Sequence, residues 1–167
     1  MSASARIVQL NISPGRVPER PVPSVRVTIL GLQDDAQRDQ EHHVGPDRAL
    51  CLCSQERIRA LRAEGHPITP GSIGKNLTIE GADWRAVTPG RYLLLGAEVI
   101  AQVTSDTAPR RNITASFRNH DHSHVSQKRH PGSSRVSARG LREGPLTCRD
   151  RVLFLSDTEA LALIGPR

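Results

Sequence analysis

The apolar residues of this chain occur in short runs that glycine or proline ends, which strongly limits the possible folds. Within Ser24–Leu30, for example, Val25, Val27 and Ile29 alternate with polar residues. This period of two predicts a half-buried strand with the three aliphatic residues on one face. Further strands are predicted by similar short runs at Arg6–Asn11, Ala49–Cys53, Asn76–Ile79, Tyr92–Leu95, Val99–Thr104, Arg135–Leu141 and Arg151–Leu155.

Three short helices are predicted where a polar residue that can cap a helix precedes a helical pattern. Ser54 precedes the first, Gln55–Glu64, and the second is placed at Thr107–Phe117. The third covers Ser156–Ile164, where Ser156 and Glu159 match a capping box.

The remaining segments are rich in turn residues and predict loops. The loops are Ser13–Pro23, Gly31–Asp47 and the histidine-rich Arg118–Ser134, and Gly144–Pro145 predicts a turn. The fold class is therefore mostly β with short helices, and a barrel-like or sandwich core is expected. The length of 167 residues fits a single domain over residues 1–167.

Composition narrows the class of protein further. Aromatic residues make up only 2% of the chain, so the core has to be aliphatic. Met1–Leu10 lacks the apolar run of a signal peptide, and no stretch approaches the length of a membrane span. The three cysteines, Cys51, Cys53 and Cys148, do not form a disulfide framework, and the Cys-x-Cys pair is interpreted as two small buried residues. We therefore expect a cytoplasmic protein without membrane association.

The formal charge of +6 favours an anionic partner or reflects solubility alone. Nucleic acid is one such partner, but a chain with so few aromatic residues lacks the rings on which bases stack, which disfavours it. A small anionic cofactor is the alternative that the motifs below support.

Two motifs precede predicted strands. In His42–Leu50, Asp47 and Arg48 follow a Gly-Pro turn and could line a binding site, although the same residues could simply satisfy a local turn. In Gly71–Ile79, backbone amides around the glycines could bind an anion. This second motif is not a P-loop, because Asn76 stands where Ser or Thr is required.

A third motif, Val103–Thr114, places Ser105 and Thr107 between a strand and the second predicted helix. The start of that helix, with Arg110 and Arg111 beside it, would be an anion site. The competing interpretation is a cap formed by Thr107 and two solvated arginines.

His120, His122 and His124 are spaced two apart, and on a strand they would share one face and could bind a transition metal. The segment has the composition of a loop and no neighbouring cysteine ligand. We therefore assign no metal ligands here and expect at most adventitious binding of nickel or zinc.

Five segments together carry a resemblance to a known family: VQLNISPG, GPDRALCLCSQE, GSIGKNLTI, TSDTAP and QKRHPGSSRVSARGLREG. Their order and spacing resemble those of small stand-alone MOSC domain proteins, which are related to the C-terminal domain of molybdenum cofactor sulfurases. The resemblance runs from about Val8 to Val152 and implies a strand-rich, partly barrel-like fold.

The resemblance implies binding of molybdenum cofactor (molybdopterin), with sulfur transfer or reduction of N-hydroxylated compounds as the chemistry of relatives. Pyridoxal phosphate enters only as a term associated with the family, and any sulfur donor or redox partner is unspecified. The alternative function is a non-catalytic module that binds a pterin or another anion. The cofactor-binding residues expected are His43, Asp47, Arg48, Lys75, Asn76, Ser105, Thr107 and Arg111.

The chain also departs from the family pattern at several motif positions. The family cysteine position, thought to carry sulfur or ligate the metal, is Arg110, which has no soft ligand atom. Val44 and Lys75 replace a glycine and a glutamate, Leu32-Gln33-Asp34-Asp35 stands where an acidic glycine loop is expected, and Ser137 replaces an aromatic residue. These changes predict a more positive site and a degenerate or repurposed member.

Overall fold

Strands dominate the computed structural model, which describes residues 4–13, 19–35, 46–74, 76–109 and 111–165. These residues form two sheets, two α-helices and several short 3₁₀ helices. The strands are β1 (Arg6–Ile12), β2 (Arg20–Val22), β3 (Ser24–Thr28), β4 (Gly31–Leu32), β5 (Leu50–Ser54), β6 (Leu77–Glu80), β7 (Tyr92–Leu95), β8 (Val99–Thr107), β9 (Arg135–Arg142), β10 (Gly144–Thr147) and β11 (Val152–Leu155). The α-helices are α1 (Gln55–Ala63) and α2 (Asp157–Ile164).

The larger sheet has eight strands in the order β11-β7-β8-β9-β5-β6-β1-β2. Its pairs are antiparallel except for β5 and β6, which run parallel. Parallel neighbours need a crossover connection, and here α1 supplies it. The central strands β8, β9 and β5 carry the motif residues, so this sheet positions the candidate site.

One edge of the larger sheet, at β11, approaches strand β1 next to the other edge. Arg6 of β1 forms an isolated antiparallel bridge with Arg151, which precedes β11. The backbone N–H of Ile7 donates to Asp150 O (2.9 Å), and that of Val152 donates to Ala5 O (2.9 Å). The predicted mostly β, barrel-like fold is confirmed, since the sheet curls until β1 meets the start of β11.

The smaller sheet, in the order β10-β3-β4, contains two departures from the predictions. Gly144 and Pro145 do not form a turn but begin β10, where Pro145 faces Arg26 of β3. Proline is tolerated there because β10 is an edge strand. Ile29, predicted to face inward, is 49% exposed because β3 ends at Thr28 and the chain turns.

The predicted first and third helices are confirmed as α1 and α2. Ser54 caps α1 by accepting the backbone N–H of Arg57 (3.2 Å), and Ile58 and Leu61 on its inner face are buried. The capping box of α2 is complete: Ser156 N donates to Glu159 Oε1 and Glu159 N donates to Ser156 Oγ, both at 3.1 Å.

The predicted helix over Thr107–Phe117 is wrong. Strand β8 continues to Thr107, which pairs with Arg135, and a 3₁₀ helix follows at Arg111–Ser116. Ala108 precedes a proline, and the residue before proline disfavours the α conformation. Pairing with β9 therefore extends strand β8 to Thr107, where the local sequence suggested the start of a helix.

Buried apolar residues form two separate clusters. The larger, here called the main cluster, consists of strand side chains such as Leu10, Leu52, Leu93 and Val103, together with Trp84. The second cluster comprises Cys53, Ile58, Leu61, Ile68, Ile73, Ile113, Phe117 and Val125. The predicted loop Arg118–Ser134 contains 3₁₀ helices at Arg118–His120 and His122–Val125, and it buries Val125 in the second cluster.

Candidate functional site

A row of polar side chains lies on the face of the larger sheet opposite the main cluster. Cys51 of β5 pairs with Ser137 of β9, and Ser137 pairs with Ser105 of β8. Residues directly opposite each other in antiparallel strands project to the same face. Thr107 joins this row, because its hydroxyl lies 3.2 Å from that of Ser137. The structure thus brings the predicted residues Ser105 and Thr107 together.

A β-bulge explains why β8 changes face at this point. The register shifts between Val103, which pairs with Ala138, and Ser105, which pairs with Ser137. A bulge inserts one extra residue and re-aims the side chains that follow. Val103 consequently packs in the main cluster, whereas Ser105 joins the polar row on the other face.

Asp47 and Arg48 belong to a 3₁₀ helix, Pro46–Arg48, that is held against β8 and β9. The hydroxyl of Thr104, the bulge residue, donates to the carbonyl of Asp47, and the guanidinium of Arg139 pairs with its carboxylate. The Asp47 and Arg139 side chains remain 64% and 40% exposed. Arg139 therefore offsets the negative charge of Asp47, and Arg48, which follows Asp47 in the same 3₁₀ helix, is exposed.

Asn76 is buried, and its side chain bonds to strand β5 and to Asp35. Its Oδ1 accepts the backbone N–H of Cys51 (3.1 Å), and its Nδ2 donates to the carboxylate of Asp35 (3.1 Å). Its own backbone N–H donates to Cys51 O (3.0 Å). Asn76 thus fixes the end of the glycine-rich turn to β5, and its contact with a ligand stays a prediction.

Arg135 is the functional residue that motif reasoning missed. It is 4% exposed, and its guanidinium donates to Ile73 O (2.6 Å) and to Ala108 O (3.1 Å). It therefore ties the glycine-rich turn to the segment that follows β8. The sequence carried no clear signal for it, because Arg135 takes a polar position of the alternating pattern in β9, whose apolar positions are Val136 and Ala138.

A small cavity adjoins Arg135 under the start of α1. It encloses about 10 Å³, which is room for a single water molecule. Ser54, Arg57 and Ser134 line it, and the buried Nε of Arg57 has no hydrogen-bond partner within the described part of the chain. A pterin is far too large for this cavity, so a ligand of that size would have to lie on the open side of the polar row.

The remaining predicted residues divide into two groups. Arg111 begins a 3₁₀ helix two residues after Pro109 and is exposed, near the end of β8. His43, Lys75 and Arg110 lie outside the described residues.

The histidine repeat is not assembled on one face. His120 and His122 belong to different 3₁₀ helices, whereas the ring of His124 packs 4.5 Å from that of His66, between centroids. Glu64, His66 and His124 bring possible ligand atoms within 4.8 Å of one another. However, Nδ1 of His66 accepts the backbone N–H of Arg118 (3.0 Å), so the neutral ring carries its proton on Nε2, the atom that faces Glu64. A metal at Nε2 would require that proton to move to Nδ1, against the Arg118 N–H.

Comparisons with known proteins agree with this architecture. Residues 39–153 match the model of the MOSC domain family, and the chain belongs to that family. It is similar to YiiM of Escherichia coli strain K12, with 31% identity over 87 residues, which are 50% of this chain and 38% of that protein. The match thus spans well under two thirds of the relative's length.

Solved structures show the same fold at low sequence identity. The crystal structure of YiiM from Geobacillus stearothermophilus aligns with a TM-score of 0.69 at 21% identity, covering 91% of this chain and 75% of that one. YuaD protein from Bacillus subtilis aligns with a TM-score of 0.68 at 14% identity, covering 90% and 94%. Among the described residues, neither helix has the length and apolar character needed to cross a bilayer.

Proposed function

We propose that this MOSC domain binds molybdenum cofactor by the phosphate and pterin end of that molecule, on the open side of the polar row. The observation that carries the proposal is the convergence of three motif segments on one sheet face. Ser105 and Ser137 are cross-strand neighbours there, and the hydroxyls of Thr107 and Ser137 lie 3.2 Å apart. The exposed Arg48 and Arg111 belong to the 3₁₀ helices that precede β5 and follow β8. Hydroxyl and guanidinium groups are the donors that bind a phosphate.

The donor set suits the organic part of the cofactor better than its metal. The sequence has three cysteines, and none is on the segment that follows β8. Cys53 is buried, with its thiol 3.5 Å from the Thr78 hydroxyl, and Cys148 packs against the main cluster. Cys51 is half-buried in the polar row, but on β5 rather than at the family position. We therefore derive no step at the metal and propose binding or carriage of the cofactor.

The second candidate is a non-catalytic module that binds a pterin or another phosphorylated anion without molybdenum. The arginine at position 110 favours it, because a guanidinium stays protonated and attracts an anion but cannot ligate a soft metal. Both candidates use the same phosphate-binding face, and they differ only in whether molybdenum is retained. Pyridoxal phosphate is not part of either proposal.

The test is to produce the protein in a host that makes molybdenum cofactor, without a metal-affinity tag. Bound molybdenum is then measured by mass spectrometry, and bound pterin by fluorescence after oxidation. Equimolar pterin and molybdenum support the first candidate, and pterin alone supports the second. Neither ligand on a folded protein would overturn both.

Two pairs of variants locate the ligand. Arg111→Ala should weaken pterin affinity by about 10- to 150-fold, because a phosphate contact to arginine contributes about 1.5–3 kcal/mol. Arg151→Ala is its control, since this exposed arginine lies beside Gly96, at the opposite end of β8 from Thr107.

Arg110→Cys, which restores a thiol at the family position, should raise the ratio of molybdenum to pterin, whereas Arg110→Ser should not. Equal effects within each pair would contradict the placement of the site.

A further inference from the structure

One hydrogen bond joins the loop after α1 to a distant segment of the chain. His66 is 7% exposed, and its Nδ1 accepts the backbone N–H of Arg118 at 3.0 Å. The two residues are 52 positions apart in the sequence. Because Nδ1 acts as an acceptor, this contact exists only while the ring is neutral.

The segment that this bond holds is Arg111–His130, here called the 3₁₀ segment. Ile113, Phe117 and Val125 supply its buried side chains to the second cluster. The Phe117 ring packs edge-on against His66, with 5.7 Å between centroids. At its other side, the Ser116 hydroxyl lies 2.8 Å from that of Ser72 in the glycine-rich turn. The hydrogen bond to His66 is therefore one polar contact that docks this segment on the loop after α1.

Charged and titratable groups surround His66 from every packed element. Glu64 faces it from its own loop, with 3.8 Å between the carboxylate and Nε2. Arg118, Asp121 and His124 face it from the 3₁₀ segment, and His130 stacks on His124 at 5.5 Å between centroids. Burial lowers the pKa of His66 below its ordinary value of 6.5, and the positive charges of His124 and Arg118 lower it further, against the opposing effect of Glu64 and Asp121.

We propose that His66 is a proton-sensitive latch, which docks the 3₁₀ segment while neutral and releases it when protonated. A proton on Nδ1 faces the Arg118 N–H, so the hydrogen bond is replaced by two opposed donors. The new positive charge also lies between Arg118 and His124. Release frees Arg111, so acid would weaken ligand binding. This last consequence rests on the proposed function, but the latch itself does not.

The direction of the pH dependence follows from the two states of His66. In the released state the ring is solvated and titrates near 6.5, whereas in the docked state its pKa is lower. The released state therefore binds more protons as the pH falls below 6.5, and docking is fully stabilised only above that value. The equilibrium for release rises by up to about tenfold for each unit between the two pKa values.

Amide hydrogen exchange of the intact protein tests the latch. Protection factors for the 3₁₀ segment are compared with those of β5 at about pH 7.5 and about pH 5.5, after correction for the intrinsic exchange rate. We expect protection of the segment to fall at the lower pH while that of β5 is kept. His66→Asn retains an acceptor oxygen that does not titrate and should abolish the change. His120→Asn alters an exposed histidine of the same segment, at a positive φ of 56° that asparagine tolerates, and should behave like the parent protein.

A second variant decides the matter if His66→Asn fails to fold. His124→Gln removes a positive neighbour, so the pKa of His66 should rise and the midpoint of release should move to higher pH. A constant midpoint, or release that is independent of pH in the parent protein, would overturn the latch. Binding of inorganic phosphate is measured in parallel: a latch that opens without loss of phosphate contradicts the proposed ligand site and leaves the latch standing.

Discussion

The main cluster and the second cluster differ in the elements that form them and in the residues that border them. The main cluster is assembled from strand side chains of the curled sheet, and nearly all of its members are aliphatic. The second cluster is small, combines a face of α1 with the 3₁₀ segment, and is bordered by His66, Arg57 and Arg135. Polar and titratable groups thus concentrate around the smaller second cluster. The second cluster, which also contributes stability, is where the polar row and the proposed latch are located.

A single tryptophan connects the two regions. Trp84 packs in the main cluster, and its Nε1–H donates to Ser134 O (2.7 Å), directly before β9. Ser134 also donates from its hydroxyl to Asp106 (2.7 Å). Through these contacts the rigid sheet sets the position of Arg135 and the segment after β8.

Truncation within each cluster gives the largest expected difference. Leu52→Ala removes a fully buried side chain of the central strand β5, and we expect the free energy of unfolding to fall by about 2–5 kcal/mol in urea denaturation. Val125→Ala in the second cluster should cost only about 1–3 kcal/mol and act mainly on exchange within the 3₁₀ segment. Equal losses, with global unfolding in both variants, would show that the two clusters form one cooperative unit.

Arg135→Met should have an intermediate effect. It removes two charge-assisted hydrogen bonds, to Ile73 O and Ala108 O, and leaves both carbonyls without that donor. A hydrogen bond from a charged donor contributes about 1.5–3 kcal/mol, so we expect a loss of about 2–4 kcal/mol in the same denaturation measurement.

Arg139→Met is the matched control, because it removes a partly exposed arginine of the same strand. Its pair with Asp47 is a surface ion pair, and such pairs contribute about 0–1 kcal/mol. If the two variants lose the same stability, then Arg135 does not hold the site segments together as we describe.

Ser116→Ala should have the smallest effect, a loss of about 1 kcal/mol that is confined to the 3₁₀ segment. The variant removes the hydroxyl that bonds Ser72 O (3.1 Å) and Ser72 Oγ (2.8 Å). Ser123→Ala, whose hydroxyl bonds only the neighbouring Asp121 among described contacts, is the control. Faster exchange in both variants alike, or in β5, would argue against a separate docking contact at Ser116.

The sequence predicted the elements whose signal is local. The caps at Ser54 and Ser156 formed as expected, because a serine hydroxyl and the helix amides that it serves lie within three residues of each other. The strand near Val27 was also predicted, but its end was not, since the turn at Ile29 depends on pairing with β4. The same holds for Thr107, because pairing with the antiparallel strand β9 keeps it in a strand although its local sequence resembles the start of a helix.

The candidate site was predicted in part, for a related physical reason. Motif order identified the MOSC family and pointed to Ser105 and Thr107, which the structure places side by side. It considered the three histidines only by their spacing in the sequence and assigned them no role, whereas His124 meets His66 and His130 only after the chain folds. It also overlooked Arg135, whose role depends on two carbonyls that are distant in sequence.

By itself, the sequence determined the strand-rich class, the helix caps, the aliphatic core and the family, since each depends on residue type and short-range spacing. Only the tertiary structure decided which polar groups meet. The bulge at Thr104 turns Ser105 to the polar row, the parallel pairing of β5 and β6 brings Asn76 to Cys51, and the second cluster buries His66 against Arg118. Contacts between distant residues depend on strand register and packing, and neither can be derived from the local pattern of a single sequence.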